Sequence, residues 1–155
     1  MEFLYSTGCR VSEMSAVKKK DINWLDNSVR LFGKGKKHRL SFINAKAEVA
    51  IKNYLNSRKD DSEFLFVSER APHGQLSKDA YEKIIRNIVK RTPEVQGKHI
   101  TPHTFRHTMA TTALRGGMPI TDISKLLGHE KIDTTMIYAK TSTEEIREGH
   151  KRFII

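Results

Sequence analysis

A chain of 155 residues, 37% apolar and 30% charged, is long enough for one compact core and too short for two full-sized domains. It holds no apolar run of about eighteen residues, which excludes a transmembrane helix, and Met1 to Arg10 lack the basic start and long apolar centre of a signal peptide. The single cysteine, Cys9, excludes an internal disulfide, and the seven histidines have no cysteine partners at zinc-ligand spacing. A reducing compartment, the cytoplasm, is the expected location. The net charge of +10 is uneven: residues 1–59 hold 13 Lys+Arg against 5 Asp+Glu, and residues 60–155 hold 15 against 13. That asymmetry points to a polyanionic partner on the N-terminal part. Nucleic acid is favoured over an anionic membrane, because no long basic amphipathic helix is present.

In chain order, Phe3-Leu4-Tyr5 reads as the end of a helix terminated by Gly8, and a second short helix follows over about Val11 to Ala16. Asp21 to Trp24 reads as a strand or turn, Ser28 to Phe32 as a strand, and Gly33-Lys34-Gly35-Lys36-Lys37 as a glycine-punctuated turn. His38 to Ile43 alternates polar and apolar, as a half-buried strand does, so a small antiparallel sheet with a lysine-rich hairpin is predicted. Helices then dominate. Ala45 to Ser57 has near-helical apolar spacing, and Phe64 to Val67 is a short strand or turn. Ser77 caps a helix reaching about Arg91, with Tyr81, Ile84, Ile85, Ile88 and Val89 as its core stripe. Thr101-Pro102 opens a helix that Gly116-Gly117 ends, with Phe105, Met109, Ala113 and Leu114 on one side. Pro119 suits the first position of the next helix, and Gly128 stops it. Asp133 caps a short helix bearing Met136, Ile137 and Tyr138, and a polar helix runs from about Thr143 to Phe153. The fold class expected is α+β, mainly α-helical, with a small three-stranded antiparallel sheet near the N-terminus, in a single domain over residues 1–155.

Several side chains carry chemistry that is ordinary when each is taken alone. His103 and Arg106, three apart, share one face of their helix, as solvated pairs near helix starts often do. Arg10 with Glu13 makes a surface-type ion pair worth about 0–1 kcal/mol. Gly128-His129 is a helix end, and Tyr138 nine residues on is an edge tyrosine. The ordered set overturns those bland readings. Thr7-Gly8-Cys9-Arg10-Val11-Ser12-Glu13, Gly33-Lys34-Gly35, Pro102-His103-Thr104-Phe105-Arg106-His107-Thr108 and Leu126-Leu127-Gly128-His129, with Tyr138 after them, together resemble the catalytic domain of a tyrosine recombinase of the phage integrase family. The resemblance runs from about Phe3 to at least Thr141.

The resemblance implies a tyrosine-recombinase catalytic-domain fold and assigns roles by position. Arg10 and Arg106 resemble the two catalytic arginines, Lys34 the hairpin lysine, His103 and His129 the two histidines, Tyr138 the nucleophile and Glu13 a supporting acid. Lys36, Lys37 and Arg39 are candidate DNA-binding residues. The family also carries an N-terminal core-binding domain, which this stretch lacks, together with the first helix of the catalytic domain. A proline common after the hairpin is missing from Leu40-Ser41-Phe42-Ile43. An integrase of a phage or conjugative element, acting in DNA integration and excision, is the expectation.

These residue types suit the reaction the resemblance implies. Negative charge grows on the oxygens around phosphorus as a nucleophile attacks, and two guanidiniums can hold the non-bridging oxygens with forked, charge-assisted bonds. A free tyrosine is mostly protonated at neutral pH, so His103 is expected to take its proton, while Lys34 protonates the leaving sugar oxygen. His129 is expected to hydrogen-bond the phosphate or to position Tyr138. No metal and no other cofactor is called for. The implied partner is double-stranded DNA, with four protomers joined through Thr143 to Ile155 in the full-length protein, a monomer for this stretch alone, and no membrane. A type IB topoisomerase and a non-catalytic DNA-binding module of the same fold are the alternatives.

Overall fold

The computed structural model describes residues 1–33, 38–129, 131–139, 147 and 151. Lys34, Gly35, Lys36 and Lys37 lie outside the described residues, as does most of the segment 143–155 expected to be helical. Among the described residues there are seven α-helices and one three-stranded sheet. In chain order they are α1 (Glu2–Thr7), α2 (Val11–Ala16), β1 (Ile22–Asn23), β2 (Ser28–Phe32), β3 (His38–Phe42), α3 (Ala45–Ser57), α4 (Lys78–Arg91), α5 (Pro102–Arg115), α6 (Ile120–Leu127) and α7 (Asp133–Met136). The sheet order is β1-β2-β3, antiparallel throughout, with Ile22 opposite Val29 and Arg30 opposite Leu40. The predicted α+β class, mainly helical with this sheet, is what the chain adopts.

Local chemistry explains most boundaries. Asn44 and Ser77 cap α3 and α4 by accepting from the amides of Ala47 and Ala80. Pro102 begins α5, where a missing N–H costs nothing. Gly8 and Gly128 end α1 and α6 in the left-handed conformation, at φ 56° and 65°. Three expectations shift. Pro119 precedes α6 rather than starting it, because its ψ of 137° is extended. Asp133 is the first residue of α7 rather than its cap, and Ile137 and Tyr138 follow the helix in a turn. On α4 the inward row is Tyr81, Ile85 and Val89, at steps of four, the first two buried and Val89 partly so; Ile84 and Ile88, one row over, stay exposed.

The sheet holds a further reversal. Val29, Leu31 and Ser41 are buried, while Phe32, Leu40 and Phe42 face outward at 40–53% exposure. The inner face of β3 is therefore its polar one. Ser41 donates to the carbonyl of Thr7 at 2.8 Å, and Arg39 finds a carboxylate inside, so both polar side chains are satisfied there.

Two apolar clusters fix the helices. The larger joins α1, α2, the sheet, α3 and α4 through Phe3, Leu4, Met14, Leu31, Ile51 and Ile85. The smaller, Met109, Ala110, Ile123 and Leu127, ties α5 to α6, and the ring of Tyr138 packs against it. Gly8 lies where they meet. A Cβ there would fall 2.1 Å from Cε of Met109 and 2.9 Å from Cδ2 of Leu127.

Candidate active site

The junction of the two clusters brings three segments together: the α1–α2 turn, the first turns of α5 and the C-terminus of α6. Arg10 precedes α2. Its amide donates to Oε2 of Glu13 at 2.7 Å, a capping bond from the third helical position. Its guanidinium reaches Oε1 of Glu13 at 3.2 Å and remains 42% exposed, so it is held yet open.

Glu13 is only 2% exposed and has a second partner. Arg39, from the inner face of β3, donates to Oε2 at 2.9 Å and to Oε1 at 3.3 Å. Arg39 also donates to the carbonyl of Leu126. Burial alone would raise the Glu13 carboxyl, but the bonds from Arg39 and Arg10 outweigh it and hold the group below the usual glutamate value. Arg39, expected to be a DNA-binding residue, thus spends its guanidinium on an internal ion pair. Its side chain is 12% exposed and its charge is committed to Glu13.

Arg106, on α5, is 4% exposed. It donates to the carbonyl of Gly8 at 2.6 Å and to that of Leu127 at 2.7 Å, and its Nη2 is 2.8 Å from Nε2 of His129. Among the described residues no carboxylate lies within ion-pair distance of it. Desolvation, then Arg10 and Arg39, lower its pKa to about 10, so it stays charged at neutral pH. A buried cation without a direct counter-ion is costly unless an anion arrives.

His129 follows Gly128. Its Nδ1 is 2.7 Å from Oγ1 of Thr135, and burial together with Arg106, Arg10 and Arg39 lowers its pKa to about 4. The ring of Tyr138 stacks on His129 at 6.4 Å between centroids and meets His107 edge-on at 5.2 Å. His103 is exposed at the start of α5 and lines a hollow of about 280 Å³ together with Arg10 and Arg106.

Of the residues expected in the site, Arg10, Glu13, His103, Arg106, His129 and Tyr138 are thus linked by contact or by a shared hollow, while Lys34, Lys36 and Lys37 lie outside the described residues. Sequence reasoning missed others. Lys78, Arg86 and Lys98 also line the hollow. Lys78, Glu82 and Arg86 lie four apart on α4, so the spacing held that signal. His107 was missed because its ring partner, Tyr138, is distant in sequence, and Thr135 because nothing in the sequence marks its contact with His129.

Comparison with known proteins identifies the family. The sequence profile described as "Phage integrase family" matches residues 1–145. The chain is 32% identical to tyrosine recombinase XerC of Oceanobacillus iheyensis over 160 residues, covering 98% of this chain and 51% of that protein. It is 37% identical to tyrosine recombinase XerD of Chlorobaculum tepidum over 161 residues, covering 99% and 51%. The chain therefore spans about half the length of the curated relatives it matches. Among solved structures, a XerA recombinase superposes with a TM-score of 0.83 at 31% identity, covering 99% of this chain and 55% of that one. A XerH site-specific recombinase bound to its difH substrate in a pre-cleavage complex gives 0.78 at 21% identity, covering 99% and 45%, a likeness of fold alone. With the fold, the ordered motifs and the profile match in agreement, the chain belongs to the phage integrase family of tyrosine recombinases.

Proposed function

We propose that this chain is the catalytic domain of a site-specific DNA recombinase that cuts and rejoins strands through a 3′-phosphotyrosyl intermediate. The observation that carries the reading is Arg106: a guanidinium buried to 4% exposure beside a second, half-open one, with no carboxylate of its own among the described residues. A backbone phosphate is the anion that such a pair fits, because each planar fork can hold a non-bridging oxygen.

In the proposed reaction the phenol oxygen of Tyr138 attacks phosphorus and the bond to the 5′ sugar oxygen breaks. His103 takes the phenolic proton, and Lys34 gives a proton to the departing oxygen. Arg10 and Arg106 bear the charge that grows on the phosphoryl oxygens. The ester count is unchanged, so the 5′ hydroxyl of another strand can reverse the step and release the tyrosine.

Lys36, Lys37, Lys78, Arg86 and Lys98 are proposed contacts to flanking phosphates. Four protomers on two double-stranded DNA sites, in the cytoplasm, make up the working assembly, with this chain alone as a monomer. Integration and excision by a mobile element remain the favoured setting. No helix among the described residues is long and apolar enough to cross a membrane.

A nicked suicide duplex carrying a candidate site tests the reading. The wild-type chain is expected to form a denaturation-resistant protein–DNA adduct whose linkage maps to Tyr138, and Tyr138→Phe to bind without forming it. An adduct in the Phe variant defeats the nucleophile assignment. Plasmid relaxation without exchange between two sites would favour the topoisomerase alternative.

A further inference from the structure

The carboxylate of Glu13 is a saturated acceptor. Its two oxygens offer about four lone-pair positions, and donors among the described residues reach all of them. The amide of Arg10 and Nη2 of Arg39 lie 2.7 Å and 2.9 Å from Oε2. Nη1 of Arg10 and Nε of Arg39 lie 3.2 Å and 3.3 Å from Oε1. The two guanidiniums are held differently. Arg39 grips both oxygens with a fork, whereas the guanidinium of Arg10 gives a single nitrogen. Exposure follows the grip: the side chain of Arg39 is 12% exposed and that of Arg10 42%.

We propose that Arg39 is a positioning residue of the phosphate site: by occupying two acceptor positions of Glu13, it keeps that carboxylate from closing on Arg10 and leaves the Arg10 guanidinium open to the phosphate. The role rests on the strand-cleavage reading above and deepens it.

The surroundings suit that role. Glu13 is 2% exposed, so water does not take over the positions that Arg39 fills. A buried carboxylate left with one guanidinium partner draws it into a bidentate pair, the geometry such pairs favour. Arg10 would then be neutralised from within, and a phosphate would have to break a buried ion pair to recruit it. With Arg39 in place, one carboxylate is shared between two cations, and Arg10 keeps positive charge for an arriving anion. Arg39 also makes a third tie. It donates to the carbonyl of Leu126, and the next carbonyl, that of Leu127, accepts from Arg106 at 2.7 Å. One side chain from β3 thus sets the opening of Arg10 and pins the backbone that holds Arg106. Gly128 gives it room, because a Cβ there would lie 2.6 Å from Cδ of Arg39.

Arg39→Met removes the fork and keeps an apolar stem. Single-turnover adduct formation at saturating nicked duplex should then fall about tenfold, the scale of one charge-assisted hydrogen bond, while the half-saturating DNA concentration stays within about twofold of wild type. On the DNA-free chain, labelling of Arg10 by the arginine reagent phenylglyoxal, read by peptide mass spectrometry, should slow by a similar factor. Adding Glu13→Gln to Arg39→Met replaces the carboxylate with a neutral amide and should recover most of both readings. Arg39→Lys, whose ammonium fills one acceptor position instead of two, should fall between wild type and Arg39→Met, and it carries the test if the Met variant does not fold. Wild-type labelling of Arg10 in Arg39→Met overturns the proposal whatever the rate, as does a wild-type rate. A raised half-saturating concentration with an unchanged saturating rate also overturns it, since Arg39 would then be a DNA contact. A double variant as slow in both readings as Arg39→Met overturns it too, because Glu13 would not be the intermediary. The expected labelling without any adduct from the wild type would remove the cleavage reading and leave the control of Arg10 by Arg39 standing.

Discussion

Arg106 is bound on three sides by groups that differ in kind: the carbonyl of Gly8, the carbonyl of Leu127 and an imidazole nitrogen. A planar fork satisfies all three at once, and an ammonium does not. Arg106→Ala is expected to slow adduct formation by about two to three orders of magnitude, the scale of losing one preorganised oxyanion donor, and Arg106→Lys to recover little of it. A quench-flow time course on the nicked duplex measures this, and near-wild-type cleavage by either variant would remove Arg106 from the phosphate clamp. The neighbouring His129 makes a pH prediction. Its folded pKa of about 4 lies below the ordinary 6.5, so the unfolded chain binds the proton more readily. The stability linked to this group is present above about pH 6.5 and is lost as pH falls toward about 4. Glu13, lowered as well, loses its contribution in the same direction at more acid pH. The urea midpoint of the wild type should therefore fall between pH 7 and pH 5, and fall less in His129→Gln; parallel falls in the two proteins would refute the assignment.

At the level of elements, the site depends on where α1 and α6 stop. Gly8 ends α1 at φ 56°, its carbonyl accepts from Arg106, and its missing Cβ leaves room for Met109 and Leu127. Gly8→Ala should cost about 1–2 kcal/mol from the left-handed backbone alone, with some repacking of the flexible Met109 end, and it should also slow cleavage by displacing that carbonyl. Urea unfolding beside adduct kinetics checks both, and unchanged stability would mean that the turn tolerates a side chain. Gly128 repeats the logic at the end of α6, where a Cβ would lie 2.6 Å from Cδ of Arg39. Both stops were legible in the sequence, because a glycine after an apolar helical run is a local signal. So were β2, β3 and the cap Ser77, each decided by residues within a few positions. What the sequence concealed is long-range. Alternation along β3 indicates two faces and not which one is covered, so the pairing of Arg39 with Glu13 could not be read. Arg106 and His103 look equivalent at three residues apart, yet one is buried and the other exposed, since only Arg106 falls where α1 and α6 converge. The pairing of His129 with Thr135 was hidden too, because the sequence between them carries no apolar period to read.

For the whole molecule, charge and shape combine into one measurable property. The net charge of +10 is carried mostly by residues 1–59, which include Arg10, while the hollow holding Arg10 is also lined by Lys78 and Arg86 of α4 and by Lys98 of the loop before α5. The two parts of the chain thus supply cations to one concave face, and a polyanion crossing it would release condensed counterions in proportion to the phosphates it engages. Association with duplex DNA should weaken linearly in a plot of log affinity against log salt, with a slope of about −0.9 for each phosphate contacted. Lys98→Ala should make that slope shallower by about one unit and weaken binding to all sequences alike, since a lysine on a phosphate reads no base. Tyr138→Phe removes no charge and should leave the slope unchanged. Fluorescence anisotropy of a labelled duplex across a salt series gives all three slopes. If Lys98→Ala keeps the wild-type slope, DNA does not run across this face, and the cluster of cations in the hollow needs another explanation.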